Sequence, residues 1–156
     1  MAGIHIELDG QSAISHALNQ LMAQINDLEP AFADIGEYLL LSHRQRFDEQ
    51  QSPDGEPWEP LSATSQALKP KNKQQILRLN DILRDHFSYQ ATNKELLFGS
   101  NQVYAAIHQF GGTTSPNSMI PNKTIPARPF LGLSNDDEIE VLAILSEHLQ
   151  NALSGV

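Results

Sequence analysis

No helix or strand can cross the middle of this chain. Between positions 48 and 73 stands Gln50-Gln51-Ser52-Pro53-Asp54-Gly55-Glu56-Pro57-Trp58-Glu59-Pro60, which holds three prolines and a glycine. Each proline lacks the backbone donor that a helix or ladder needs, and Pro-Asp-Gly is a turn signal. The break itself reads as an ordered or semi-ordered loop with one aromatic anchor, Trp58. Regular elements must therefore be sought separately on either side of it.

Ahead of the break, Ile4, Ile6 and Leu8 alternate with His5, Glu7 and Asp9, the period of a strand with one buried face, and Asp9-Gly10 turns the chain. From Ser12, a residue suited to cap a helix, Ile14, Leu18, Leu21, Ile25 and Leu28 recur on one stripe and predict a helix of about five turns. Pro30 suits the first position of a second helix, whose apolar face carries Phe32, Ile35, Leu39 and His43 and is widened by Tyr38, Leu40 and Leu41. Asp34 and Glu37 sit early and Arg44 and Arg46 late, which complements the helix dipole by about 0.5 kcal/mol per favourable end charge. So short a connection at Glu29-Pro30 predicts that the two helices pair antiparallel.

Behind the break the segments are short. Residues 62–68 suit one or two helical turns and 76–83 another short helix; 87–92 and 96–100, separated by Asn93-Lys94-Glu95, read as a hairpin. Tyr104, Ala105, Ile107 and His108 suit a short helix that Gly111-Gly112 would end. Residues 113–123, with two prolines and two asparagines, read as a mobile loop, and 127–133 as extended chain. Ser134 with Asp137 makes a capping-box start for a last helix with the stripe Ile139, Leu142, Leu145, Leu149 and Leu153. The sum is an α+β fold with an N-terminal helical pair, a small antiparallel sheet, a C-terminal helix and long proline-rich loops at about 48–73 and 113–123. At 156 residues, and without a linker between two cores, the expectation is one domain spanning 1–156.

Cysteine is absent, which removes disulfides, thiolate metal sites and cysteine nucleophiles. The first ten residues lack a basic region followed by an apolar run, and the densest apolar stretch is Tyr38-Leu39-Leu40-Leu41, far short of the ~20 residues that span a bilayer. A soluble, cytoplasmic product without a membrane partner is expected. The formal net charge of -9 repels phosphate on average and disfavours general nucleic-acid binding. Lys69, Lys71, Lys73 and Arg78 form a local basic stretch, read either as a solvated loop or as a contact for an acidic partner or DNA.

Chemistry is harder to place. No two of the six histidines stand at the spacing that puts paired imidazoles on one metal, and no nucleophile elbow, phosphate-binding loop or H-E-x-x-H motif occurs. No cofactor is expected. The best catalytic trio that can be assembled takes His108 as base, Asp54 or Asp81 as its orienter and Ser100 as nucleophile, in a small hydrolase. Against it, His108 serves equally as a partly buried residue that steadies the following Gln109-Phe110-Gly111 turn. Trp58 either fills a gap in the core or anchors a neighbouring subunit. Arg128, between Pro126 and Pro129, is either an interface ion-pair donor or a local loop clamp, and Phe130 and Leu131 beside it read as core.

Four segments, taken in order, resemble one family. They are Phe47 with Pro53-Asp54-Gly55-Glu56-Pro57-Trp58-Glu59-Pro60-Leu61; Ile76-Leu77 running to Leu83; Phe98-Gly99-Ser100-Asn101 with Tyr104-Ala105 and His108-Gln109-Phe110-Gly111; and Ile125-Pro126-Ala127-Arg128-Pro129-Phe130-Leu131-Gly132. The combination, over roughly residues 40 to 150, resembles the phage virion morphogenesis family, which includes tail completion proteins of Mu-like and P2-like phages and prophages. Leu79-Asn80-Asp81 departs from it, because related sequences often have Thr-Gly before the leucine-bearing segment. The resemblance implies a structural protein with no catalytic residues, acting at the head-tail junction or tail end and forming a ring of identical subunits. Its partners would be other copies and connector or tail proteins, in the host cytoplasm and then the assembled virion. Candidate interface residues are Trp58, Lys69, Lys71, Lys73 and Arg128, with the 48–73 and 113–123 loops as docking patches; an acidic lumen would let DNA slide through without specific binding.

Overall fold

A computed structural model of the chain describes residues 12–62, 76, 82–102, 105–118 and 121–155. The expected strand at 4–8, most of the expected turns at 62–68 and 76–83, and the basic stretch from Lys69 to Arg78 lie outside these residues.

Helix α1 spans Ser12–Gln24, a turn shorter than its apolar stripe suggests. Ile25 still bonds back to Leu21, but Asp27 Oδ1 then accepts from Glu29 N and starts a new element. Leu28 is thereby the N-cap of α2 (Glu29–Glu49), with Pro30 in its first turn, where a missing donor costs nothing. The ordinary helical spacing puts Phe32, Ile35, Leu39, His43, Arg46 and Phe47 on the buried side of α2. Gln50, in the left-handed region at φ 56, ends it with its N–H on Arg46 O.

Short elements follow. Helix α3 (Ile82–Asp85) leads into strands β1 (Phe87–Ala91) and β2 (Leu96–Ser100), antiparallel with Phe87 opposite Ser100 and Ala91 opposite Leu96. Thr92 closes their loop, its Oγ1 accepting from Lys94 N and Glu95 N. The expected hairpin is therefore present. β1 runs along α2 so closely that a Cβ at Gly36 would stand 2.5 Å from the Tyr89 ring.

Helix α4 (Ala105–Phe110) ends as expected at Gly111, whose φ of 74 suits glycine and whose N–H bonds Ile107 O. The next segment differs from the expectation of a mobile loop. Strands β3 (Gly112–Thr113) and β4 (Thr124–Ile125) pair antiparallel, and Thr114 Oγ1 accepts from Lys123 N, so the base of the 113–123 segment is a hairpin stalk. Two residues per strand are too few for an alternation to show in the sequence.

Helix α5 (Asn135–Leu153) starts with the expected capping box between Ser134 and Asp137. Its inward face is Asp137, Val141 and Leu145, whereas Ile139 and Leu153 are 67% and 64% exposed. The stripe read from the sequence is thus rotated: apolar residues surround this helix, and the neighbours it meets select the arc. Those neighbours are α1 and α2, each of which lies against α5. All three long helices share one apolar cluster, in which Leu21 of α1, Phe32, Ile35 and Leu39 of α2 and Val141 and Leu145 of α5 pack together.

Two apolar clusters result. Leu21, Leu28, Phe32, Ile35, Leu39, Val141 and Leu145 knit the long helices, and Phe47, Trp58, Ile76, Leu83, Phe87, Ala105, Phe130 and Leu131 lie under the hairpin and α4. Phe98 packs on both and stacks on Phe87 at 5.6 Å. Phe47 meets Trp58 edge-on at 5.1 Å and Phe130 at 5.6 Å; such ring pairs add about 0.5–1.5 kcal/mol each beyond area burial.

Candidate functional site

Residues 126–134 join β4 to α5 without belonging to a strand or helix, yet Arg128, Phe130 and Leu131 are buried. A buried backbone with no ladder must find partners elsewhere. It finds them in side chains. The Gln109 carboxamide, from α4, acts as a surrogate strand: its Oε1 accepts from Phe130 N at 2.9 Å and Leu131 N at 3.0 Å, and its Nε2 donates to Leu131 O at 3.3 Å. Trp58 Nε1 donates to Pro129 O at 2.6 Å, and Arg46 donates to Phe130 O at 2.6 Å and Gly132 O at 3.2 Å.

His43 completes the set. Its Nδ1 donates to Leu39 O, which leaves Nε2 to accept from Gly132 N, so the ring is the neutral Nδ1–H tautomer. Burial, then the Arg46 charge, push its pKa from 6.5 down to about 3.

Behind this segment lies an ion pair. Arg46 donates to Asp137 Oδ2 at 2.7 Å, and their side chains are 5% and 2% exposed. Tyr38 and Ser42 hydroxyls donate to Oδ1, and Ser134 N donates to Oδ2. Burial alone would raise the Asp137 carboxyl, but Ser42, Ser134, Tyr38 and Arg46 hold it below its ordinary value. The same carboxylate raises the Tyr38 phenol, after burial, and opposes the fall that burial imposes on Arg46. A charge so fully engaged is built to hold position; it is no free acid or base.

Outside the pair opens a cleft of about 580 Å³ between the solvent side of α2, the Ser52–Gly55 turn and the start of α5. Leu41, 65% exposed, stands on its wall. Glu49, Asp54 and Asp136 are exposed carboxylates along it.

The sequence-named residues distribute as follows. Trp58 is 4% exposed and Arg128 6%, and both hold the same segment. The Arg128 guanidinium donates to Glu59 O and Pro60 O, a clamp between the proline loop and residues 126–134, and its N–H bonds His108 O. Lys69, Lys71 and Lys73 lie outside the described residues, as does Asp81. Of the remaining trio members, Asp54 lines a cleft that neither Ser100 nor His108 lines. Ser100 is 3% exposed with its Oγ accepting from Gln102 N, and burial beside Arg128 pushes the His108 imidazole down. Among the described residues no group of histidine and carboxylate side chains could hold a metal ion, and no helix is long and apolar enough to cross a membrane.

Sequence reasoning missed Arg46, Gln109 and Asp137 in these roles. Arg46 did carry a signal, since it continues the stripe of Ile35, Leu39 and His43; reading it as an end charge ignored its phase. Gln109 carried none beyond its place in the His108-Gln109-Phe110-Gly111 block.

That block, the proline loop with Trp58, and Arg128 to Gly132 meet around one segment. The phage virion morphogenesis family model matches residues 9–150. The chain belongs to this family. It is 34% identical over 120 residues to a putative capsid assembly protein G of Escherichia phage Mu, covering 74% of this chain and 75% of that one. It is 28% identical over 147 residues to the Mu-like prophage FluMu G protein 2 of Haemophilus influenzae, covering 94% and 96%. It is 26% identical over 141 residues to the tail completion protein S of Escherichia phage P2, covering 85% and 94%. No solved structure matches it. In this family member Trp58, Gln109 and Arg128 from those blocks are spent on holding one segment, while Asp54 and Gly55 of the proline loop line the cleft.

Proposed function

We propose that the chain is a structural subunit of a tailed-phage particle, acting in tail completion or in joining head to tail, and that it works by contact rather than by catalysis. The observation that carries this reading is the family match over residues 9–150, with relatives named for capsid assembly and tail completion. The geometry supports it: the polar residues that converge are locked in a brace, and Ser100, the nucleophile of the hydrolase alternative, is buried. Copies of the chain close a ring through head-to-tail contacts, which require two different complementary patches on each subunit. The ring meets connector or tail proteins, forms in the host cytoplasm and stays in the virion. The stalk at Thr114 and Lys123 holds one loop out as a docking element, and the cleft beside Asp54 is another.

Particles made without this chain should show heads and tails that are unjoined or unfinished by electron microscopy, with infectivity restored when the chain is supplied in trans. A normal yield of infectious particles in its absence would overturn the reading.

A further inference from the structure

The cleft at the start of α5 has charge that the fold does not use. Arg46 and Asp137 neutralise each other on its floor. Glu49 is steadied by amides, Gln45 Nε2 donating to one oxygen and Gln51 Nε2 to the other, yet neither amide neutralises it. Asp54, in the turn after Pro53, and Asp136, in the first turn of α5, have no ion-pair partner among the described residues. Asp54 and Asp136, without an ion-pair partner among the described residues, and Glu49, which also faces the Arg46 charge, therefore edge a recess whose wall also offers the exposed Leu41. An occupant must bring positive charge and fit a space of about 580 Å³, the size of a few side chains.

The chain carries its own candidate. It has 10 lysines and arginines in total, and four of them, Lys69, Lys71, Lys73 and Arg78, fall within ten positions, while the chain as a whole is at -9. Between Lys69 and Lys73 there is no acidic residue. We infer that the Lys69–Lys73 segment of one subunit seats on the Glu49, Asp54 and Asp136 cleft of the next, giving the two unlike, complementary patches that a head-to-tail ring requires. This rests on the structural reading above and names its self-contact. Glu49, Asp54 and Asp136 are exposed, so the contact is salt-sensitive, screened over about 10 Å at 0.1 M.

The test uses the full chain. Light scattering should show larger species at low salt, with apparent association weakening by about tenfold or more between roughly 50 mM and 500 mM NaCl. Asp54→Lys with Asp136→Lys, or Lys69, Lys71 and Lys73 each →Glu, should give monomers, while a mixture of the two variants should associate again, because each then meets its opposite. Asp54→Asn with Asp136→Asn guards against loss of fold, with circular dichroism as the check. Zero-length carboxyl-to-amine cross-linking of mixed 14N- and 15N-labelled chains should join lysines of one isotope to Asp54 or Asp136 of the other. Cross-links confined to one isotope, reversed variants that associate like the wild type, or a chain monomeric at every salt with no cross-link would each overturn the contact. If the reversed variants stay monomeric in vitro yet still complete particles, the contact fails as the assembly interface and the structural role stands; if particles form without the chain, that role itself fails.

Discussion

Arg46 and Asp137 stand 91 positions apart and meet at 2.7 Å, buried, with the guanidinium turned between the carboxylate and the carbonyls of Phe130 and Gly132. One side chain of α2 thereby fixes both the start of α5 and the segment that leads into it. The pair replaces a strand partner with a charged one, which is costly to break because either partner left alone is a buried, uncompensated charge.

Arg46→Met should cost about 3–5 kcal/mol of unfolding free energy, since Asp137 would keep its hydrogen-bonded charge buried with no cation beside it. Arg46→Met combined with Asp137→Asn should cost less than the sum of the single changes. Urea unfolding of the three variants measures this, and strict additivity would show that the two are not coupled.

Gln109→Leu keeps approximate volume but removes the acceptor for Phe130 and Leu131 N–H and the donor for Leu131 O. Each stranded group costs about 1–3 kcal/mol. Hydrogen exchange should quicken at Phe130 and Leu131 more than in β1 and β2; uniform quickening would mean that 126–134 has no separate opening.

Gly36→Ala places a methyl 2.5–2.7 Å from Cγ, Cδ2 and Cε2 along one edge of the Tyr89 ring, so the ring or the helix must shift. A loss of about 1–3 kcal/mol is expected from this overpacking. Adding Tyr89→Ala should recover part of it, apart from the tie between Tyr89 OH and Glu37. Thermal melts of the pair decide: no recovery would place the strain elsewhere.

Acid should destabilise the protein through His43 and Asp137. The unfolded His43 pKa is 6.5 and the folded value about 3, so between them the unfolded chain binds the extra proton and stability rises with pH. Its contribution is whole above 6.5 and is lost as pH falls toward 3. Asp137, also lowered, acts with the same sign, whole above the ordinary carboxylate range and lost as pH falls through its folded value. The slope from one such group is at most about 1.4 kcal/mol per pH unit. His43→Gln should be less stable at neutral pH but show a flatter decline between about pH 6 and 4. An unchanged slope would remove His43 as its source.

Much of the fold could be read locally. The break at 50–60, the hairpin around Asn93-Lys94-Glu95, the Gly111 stop and the Ser134–Asp137 box all depend on residues within a few positions of one another. The brace was only half visible. Trp58, Arg128 and Phe130 stand out by residue type and setting and Gly132 through the family resemblance, whereas Arg46 reads locally as a helix-end charge and Asp137 as a cap alone. Asp137 is both, because the capping box holds its carboxylate at the place where α2 presents Arg46.

By itself, then, the sequence determined where α2 and α5 begin and α4 stops, where the chain turns, which charge dominates, and which family it resembles, for these rest on backbone chemistry and short-range spacing. Tertiary structure decided which arc of α5 faces inward, that α1 and α2 both lie against α5, and that a segment without a ladder is saturated by Gln109, Arg46, His43 and Trp58. Those outcomes depend on which surfaces meet across long stretches of chain. A charge can be buried only where its partner is delivered, and no local pattern carries that address.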